Sequence, residues 1–217
     1  MRILVTGAAG FIGSHTCEQL MKRGDSVVAV DVINDYYDIN TKNQTISDLK
    51  LLAQQLEADF VFHKVDFRNQ DDIKQILDDT SHPIDKICHL GAQAGVRYSV
   101  ENVEEVIDIN IMGTVTILEA ARKRGIKDLV IASSSSVYGQ DSTSPFTENA
   151  RCYRPISPYA ASKKACELFG HTYYHLYKFN IIMLRFFSVY GPRGRPDMAC
   201  LKFIDKIYNG IPIGKEN

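Results

Sequence analysis

Arg2-Ile3-Leu4-Val5-Thr6-Gly7-Ala8-Ala9-Gly10-Phe11-Ile12-Gly13 decides the fold, because this stretch joins an apolar strand to a glycine-rich turn and the start of a helix. Of its three glycines, the first permits a tight turn, the second lets a pyrophosphate approach the backbone, and the third lets the helix pack on the strand. A glycine trio alone is a weak signal, but its position between a first strand and a first helix strengthens it. The stretch therefore predicts a dinucleotide held by Gly7, Gly10, Phe11, Ile12 and Gly13, with its phosphates at the helix N-terminus.

An acidic side chain ends the second predicted strand, Ser26–Asp31. Asp31 follows Gly13 by 18 residues (31 − 13), close to where a carboxylate hydrogen-bonds the ribose hydroxyls of NAD. Neither Val32 nor Ile33 is a cation that could bind a 2′-phosphate, so the sequence favours NAD over NADP. The alternative is that Asp31 only caps a turn or a helix.

Apolar segments alternate with amphipathic ones along the rest of the chain. Further strands are predicted at residues 60–65, 86–90, 128–132 and 180–185, and helices at 44–56, 103–124, 158–177 and 198–208. Strands that alternate with helices imply a parallel, doubly wound sheet of the Rossmann type. Right-handed crossovers then put helices on both faces of that α/β sheet.

Residues that are mostly small or polar lie at or just after the ends of the third, fourth and fifth predicted strands. Because ligands of open α/β sheets bind outside the carboxyl ends of the strands, we expect these residues to line the ligand site. They are Asp66, Phe67, Leu90, Gly91, Ala92, Gln93, Ser133, Ser134, Ser135 and Ser136. The serines would donate hydrogen bonds to a substrate hydroxyl or carbonyl, although serines also form plain turns. His89 is more typical of a packed strand residue than of a catalytic base.

Tyr159 and Lys163 form a candidate acid–base pair. Ser157 is a favourable helix N-cap and Pro158 suits the first helical position, so Tyr159 lies in the first turn of a helix. Lys163 follows four residues later and shares its face. A free tyrosine titrates near about 10, and an ammonium beside it favours the phenolate, which could take a proton from an alcohol. Taken alone, such a pair is more typical of a solvated helix face, but the rest of the chain favours catalysis.

The composition excludes several classes of function. The 217 residues are 45% hydrophobic with a formal net charge of −1, which gives no reason to propose nucleic-acid or membrane-surface binding. The five cysteines are scattered without metal-ligand spacing, so no metal site and a reducing compartment are predicted. No run is apolar enough to cross a bilayer and no signal-peptide pattern opens the chain, so a cytoplasmic location is expected.

Three motifs together resemble the extended short-chain dehydrogenase/reductase family, in order and in spacing. They are Thr6-Gly7-x-x-Gly10-Phe11-Ile12-Gly13, the serine run that ends in Tyr138-Gly139, and Tyr159-x-x-x-Lys163. Within that family, three further stretches are most similar to UDP-glucuronate 4-epimerases. They are Asn34-Asp35-Tyr36-Tyr37, Gln93-Ala94-Gly95-Val96-Arg97-Tyr98-Ser99 and Gly191-Pro192-Arg193-Gly194-Arg195-Pro196-Asp197-Met198-Ala199.

The resemblance implies an NAD-dependent enzyme that converts UDP-glucuronate to UDP-galacturonate by transient oxidation at C4. Tyr159 would be the base, Lys163 would contact the nicotinamide ribose, and Ser134 would hydrogen-bond the reacting oxygen. NAD contacts are further implied for Asn34, Asn110, Ser133 and Phe186, and substrate contacts for Arg97, Ser135, Ser136, Ser188, Arg193 and Arg195. Arg193 and Arg195 would meet the pyrophosphate or, alternatively, belong to a solvated basic loop. A homodimer that pairs its long helices is implied as well.

Members of this family continue well past the position at which this chain ends. Residues 1–188 are therefore expected to form the NAD-binding Rossmann domain with the catalytic residues. Residues 189–217 are expected to be the beginning of a smaller C-terminal substrate domain.

Other functions stay open at this point. UDP-glucose 4-epimerase is the nearest enzyme alternative. Similar 4,6-dehydratases and UDP-glucuronate decarboxylases carry acidic side chains before the Tyr-Gly of the serine run, whereas Ser135-Ser136-Val137 has none, which favours epimerisation. A truncated NAD-binding protein without activity is the alternative that is not an enzyme.

Overall fold

Six parallel strands form the centre of the computed structural model, which describes residues 1–140 and 143–212. The strands are β1 (Arg2–Thr6), β2 (Ser26–Asp31), β3 (Phe60–Lys64), β4 (Lys86–His89), β5 (Asp128–Ser134) and β6 (Asn180–Phe186). Their order across the sheet is β3-β2-β1-β4-β5-β6, with every adjacent pair parallel. The predicted doubly wound Rossmann sheet is confirmed.

Helices cover both faces of this sheet. They are α1 (Phe11–Lys22), α2 (Ile39–Leu56), α3 (Gln70–Leu77), α4 (Val96–Glu101), α5 (Val103–Ile107), α6 (Gly113–Arg124), α7 (Pro158–Tyr177) and α8 (Ala199–Tyr208). The helices α1 and α2 pack on one face, and α3, α6 and α7 on the other. Across the described residues, none of these helices is long and apolar enough to cross a membrane.

Alternate residues of β1 supply the two cores. Ile3 and Val5 pack with the buried side chains of α1 and α2, whereas Leu4 packs with Ile117 and Leu118 of α6 in the opposite layer. This division follows from the period of two residues along a strand. Because helices cover both faces of the sheet, apolar residues follow one another along β1 instead of alternating with polar ones.

The start of α7 follows the sequence prediction. Ser157 is extended, and its Oγ accepts a hydrogen bond from the Ala160 N–H at 3.1 Å. Pro158 occupies the first helical position, where a missing N–H costs nothing. Tyr159 is thereby placed in the first turn of the helix, with Lys163 one turn further along.

The long helix predicted at residues 103–124 is interrupted, so the prediction of one continuous α-helix was wrong. After α5, Asp108–Met112 form a π turn, and α6 begins only at Gly113. A π turn inserts one residue into a continuous helix and leaves little trace in the apolar periodicity. The helix α4 was not predicted. The helix α2 begins at Ile39 instead of residue 44, because the Asp38 carboxylate caps it by accepting a hydrogen bond from the Asn40 N–H at 2.9 Å.

Leu118→Ala should lower the free energy of unfolding by about 2–5 kcal/mol, because Leu118 is fully buried and its truncation leaves a cavity. Leu51→Ala on α2 is the matched control, since Leu51 is 56% exposed and should change stability by about 0.5 kcal/mol or less. Urea denaturation followed by circular dichroism measures both. Equal losses in the two variants would contradict the assignment of α6 to the core.

Candidate active site

The loops after β1 and β4 diverge at the point where the strand order reverses. From β1 the chain enters α1 on one face, and from β4 it leads toward α6 on the other, which leaves a crevice between the two loops. Thr6 joins the loops, because its Oγ1 accepts a hydrogen bond from the Gly91 N–H at 3.0 Å. This crevice has the position of a nucleotide site in an open α/β sheet.

The glycine turn between β1 and α1 lets a ligand approach the backbone closely. Gly7 has a φ of +71°, which side chains rarely tolerate, and a Cβ on Gly13 would collide with the Gly7 carbonyl oxygen. Gly10 caps α1 without a side chain, so the N–H groups of the first turn are left for a ligand. These residues fit the pyrophosphate of a dinucleotide, which helix N-termini bind well.

Asp31 lies beside this turn at the end of β2. Its carboxylate accepts hydrogen bonds from the Ala9 N–H at 3.0 Å and the Ile33 N–H at 2.9 Å. Burial raises the pKa of Asp31, while these N–H groups and nearby Lys42 oppose the rise. Lys42 reaches this region from α2 and donates to the Asn34 carbonyl oxygen at 2.8 Å. Lys42 lies 11 residues after Asp31 (42 − 31), so the residues directly after the acid give no sign of this cation.

Asp66 and Phe67 follow β3 and reach the same edge of the sheet. The Asp66 carboxylate accepts hydrogen bonds from the N–H and the guanidinium of Arg68, each at 2.9 Å. Burial would raise the pKa of Asp66, but the hydrogen bonds from Arg68 hold it below its usual value. Arg68 also reaches Asp108 at 2.5 Å, and so ties the loop after β3 to the π turn.

Asn110 connects the loop after β4 to α7. This residue of the π turn is 1% exposed. Its side chain accepts from the Gln93 N–H at 2.8 Å and donates to the Gln93 carbonyl at 3.0 Å and to Ser162 Oγ at 3.0 Å. Ser162 in turn donates to the Tyr159 carbonyl oxygen at 2.8 Å. One buried amide therefore ties the backbone of Gln93 to Ser162 in the first half of α7.

Lys163 and the serine run meet at the end of β5. The strand continues two residues further than predicted, to Ser134. Ser134 Oγ accepts from the Ser136 N–H at 3.1 Å and caps the 3-10 turn Ser135–Tyr138. Lys163 is buried and donates its Nζ to the Ala132 carbonyl oxygen at 2.9 Å. Tyr159 is partly exposed and lies one helical turn before Lys163, on a helix that packs against β5 and the serine turn.

Glu167 supports the serine run from α7, a role that was not predicted from the sequence. Ser133 donates its hydroxyl to Glu167 at 2.7 Å. Arg185 binds both carboxylate oxygens, at 2.8 and 3.0 Å, and lies 5.0 Å from the centre of the Tyr138 ring. Burial would raise the pKa of Glu167, but Arg185 and the other donors hold it below its usual value. The Glu167 carboxylate is therefore ionised and paired with Arg185.

The three stretches that carry the epimerase resemblance meet in one cluster. The rings of Tyr36 and Tyr98 contact at 5.4 Å, and the Arg195 guanidinium lies 5.5 Å from the Tyr36 ring. Arg195 also pairs with Asp197, with an Nε–Oδ1 distance of 3.0 Å. The sequence suggested no such contact, because these stretches are far apart along the chain.

The remaining predicted residues differ in their surroundings. Arg193 pairs with Glu18 on α1, and Arg97 and Ser188 are exposed. Phe186 ends β6 with an intermediate exposure, next to Ser134 in the sheet register. Within residues 1–140 and 143–212, no group of three or more His, Cys, Asp or Glu side chains could hold a metal ion.

Comparison with known proteins gives consistent matches. A family model described as GDP-mannose 4,6 dehydratase matches residues 4–216. Protein CapI of Staphylococcus aureus is 46% identical over 217 residues, which cover 100% of this chain and 63% of that protein. A UDP-glucuronate 4-epimerase of Thermodesulfobacterium geofontis is 44% identical over 210 residues, which cover 97% of this chain and 62% of that protein.

A solved structure is similar over nearly all of this chain. It is the crystal structure of UDP-glucuronic acid 4-epimerase from Bacillus cereus in complex with UDP-glucuronic acid and NAD. The TM-score is 0.85 at 36% sequence identity, with 98% of this chain and 64% of that chain covered. The chain therefore spans less than two thirds of the length of the relatives that it matches.

Proposed function

Because this chain belongs to the family described as GDP-mannose 4,6 dehydratase, within the extended short-chain dehydrogenases/reductases, we propose that it catalyses NAD-dependent epimerisation of a nucleotide sugar. The proposed substrate is UDP-glucuronate and the product is UDP-galacturonate. One observation supports this proposal: the buried Lys163 is held near the end of β5, where Ser134 ends the strand, and Tyr159 precedes Lys163 by one turn of the same helix. The acid-free serine run and the names of the relatives support the choice of substrate.

The residues around the crevice fit NAD. The glycine turn would hold its pyrophosphate, Asp31 its adenosine ribose, and Lys163 its nicotinamide ribose. Additional contacts are proposed for Asn34, Asp66, Phe67, Leu90, Gly91, Ala92, Gln93, Asn110, Ser133 and Phe186. When bound, NAD supplies the hydride acceptor and donor for C4 of the sugar, without net oxidation.

Tyr159 and Ser134 are proposed to handle the proton of the sugar 4-hydroxyl. Tyr159 would take the proton from the sugar 4-hydroxyl and later return it, with the buried Lys163 one turn further along the same helix. Ser134 Oγ accepts a hydrogen bond from the Ser136 N–H, so its own proton can be donated to the reacting oxygen. Ser133 cannot act in the same way, because it gives its proton to Glu167.

The sugar carboxylate and the pyrophosphate need donors of their own. Ser135, Ser136, Ser188 and Arg97 are proposed to face the carboxylate, which must be kept from leaving as carbon dioxide once C4 is a ketone. Arg193 and Arg195 are proposed for the pyrophosphate, since a guanidinium binds phosphate with two parallel hydrogen bonds. Each would have to exchange its present carboxylate partner, Glu18 or Asp197, for a phosphate.

We further propose that residues 1–188 form the cofactor-binding unit and that residues 189–217 begin a substrate-binding unit. The helix α8 supports this division, because Ile204, Ile207 and Tyr208 are exposed and none of its residues is buried. An apolar helix face of this kind is usually covered by another part of a protein.

A homodimer is proposed through the helices α5 to α7, whose outer surface exposes Val103, Ile107, Met112 and Leu168. Leu168→Glu should convert the dimer to a monomer, because it places a charge within the apolar interface. Light scattering over a range of protein concentrations measures the mass. Leu51→Glu, on the exposed face of α2, is the matched control and should leave the mass unchanged. A monomeric unsubstituted chain at high concentration would refute this assembly.

The chain should bind NAD more tightly than NADP, because Asp31 repels a 2′-phosphate and accepts hydrogen bonds from a ribose hydroxyl. Asp31→Asn should weaken NAD binding by about tenfold, the usual order for a lost hydrogen bond to a charged group. Calorimetric titration with both dinucleotides provides the measurement. Asp48→Asn, an exposed residue of α2, is the control. Tighter binding of NADP would overturn the role given to Asp31.

Tyr159→Phe should reduce epimerisation by roughly 10²–10⁴-fold while NAD binding persists, because it removes only the acid–base oxygen. The assay separates UDP-glucuronate from UDP-galacturonate and also follows NADH and carbon dioxide, neither of which should accumulate. Tyr153→Phe, an exposed residue, is the control.

This assay should be run on the chain and on a chimera that adds the C-terminal third of the Staphylococcus aureus relative. Turnover only in the chimera would support the proposed division at residue 188. Faster turnover of UDP-glucose would move the assignment to a glucose epimerase, and a pentose product would move it to a decarboxylase.

A further inference from the structure

His89 is a buried polar ring directly beneath the crevice. It ends β4, is 2% exposed, and meets the Phe67 ring edge-on at 5.1 Å. Its Nδ1 lies 2.7 Å from Thr6 Oγ1, and its Nε2 lies 3.2 Å from Thr114 Oγ1. The ring therefore spans the distance between β1 and α6, with a hydroxyl at each nitrogen.

The two hydroxyls determine which nitrogen carries the proton. Thr114 donates its only proton to the Asn110 carbonyl oxygen at 2.6 Å, so toward His89 it can only accept. The Nε2 atom must then be protonated. Desolvation and the positive charge of Lys163 lower the pKa of His89 to about 3, so the ring is neutral and its Nδ1 is bare. Thr6 accepts from the Gly91 N–H and donates to that bare Nδ1.

These bonds form one directed chain. It runs from the Gly91 N–H through Thr6 to Nδ1 of His89, and from Nε2 through Thr114 to the Asn110 carbonyl. Cys166 also donates to this carbonyl, at 3.2 Å. At the two ends of the chain are the loop at Gly91 and the π turn whose Asn110 amide holds Gln93 and Ser162.

We propose that His89 is a positioning residue, which fixes the loop after β4 against the π turn through its Nε2–H tautomer. A rigid ring with an acceptor on one side and a donor on the other satisfies both hydroxyls at once. The loop at Gly91 to Gln93 is thereby held in the shape that receives the cofactor. This functional consequence rests on the proposed NAD binding, whereas the tautomer does not.

The tautomer is tested by NMR on chain labelled with ¹⁵N-histidine. Long-range proton–nitrogen spectra should show one histidine with a protonated Nε2 and a bare Nδ1, unchanged between about pH 5 and 8. Loss of this signal in His89→Gln assigns it among the six histidines. A protonated Nδ1, or a ring that titrates in this range, would overturn the proposal. Because NAD is absent from this measurement, it stands even if NAD binding fails.

The positioning role is tested by the affinity for NAD. His89→Leu fills the space without hydrogen bonds and should weaken NAD binding by about tenfold or more. His89→Gln offers one acceptor and one donor and should restore the affinity to within about threefold of the unsubstituted chain. His82→Leu, at an exposed loop position, controls for the loss of a histidine.

Unchanged affinity in a folded His89→Leu would refute the positioning role, as would a His89→Gln no better than His89→Leu. Should His89→Leu fail to fold, Thr114→Val decides, since it keeps the ring but removes both the acceptor for Nε2–H and the hydrogen bond to the Asn110 carbonyl oxygen. It should weaken NAD binding by about tenfold, and unchanged affinity would refute the role. If the unsubstituted chain binds no NAD, the proposed function fails instead, while the NMR result still decides the tautomer.

Discussion

The buried amide of Asn110 is the constraint on which the site depends. A primary amide withdrawn from water must find partners for its oxygen and for both of its protons, or lose the hydrogen bonds that water supplied. Here the oxygen and the two protons are shared between the backbone of Gln93 and the hydroxyl of Ser162. The π turn widens the helix at this residue. An ideal α-helix would change the direction of this amide relative to both partners.

Electrostatic pairing complements this buried network. Glu167 is held by Arg185, and Asp66 by Arg68, so these two carboxylates already have cations. Lys163 is different, because its Nζ donates to the neutral carbonyl oxygen of Ala132. Its positive charge therefore remains available to an anion at the end of β5. Such an imbalance suits a site in which negative charge develops on an oxygen.

Local signals explain which parts of this architecture the sequence revealed. The glycine turn, the acid that ends β2 and the Ser157 cap each depend on neighbours a few residues away, and so leave a readable pattern. Lys42, Glu167 and the partners of His89 act across the fold, and their roles follow from strand register and helix packing. The π turn falls between these cases, since it is local but is defined by backbone hydrogen bonds that the residue types do not report. The Tyr36 and Arg195 contact likewise joins stretches more than a hundred residues apart.

The sheet order also has a consequence for how the molecule assembles. Pairing β1 with β2 joins residues 24 apart (27 − 3), and pairing β2 with β3 joins residues 33 apart (60 − 27). Pairing β1 with β4 joins residues 83 apart (86 − 3), the widest separation between neighbouring strands in the described sheet. Chain entropy therefore opposes this seam most strongly. Since the crevice opens along the same seam, a ligand that bridges it would act as a clamp on the two halves of the protein.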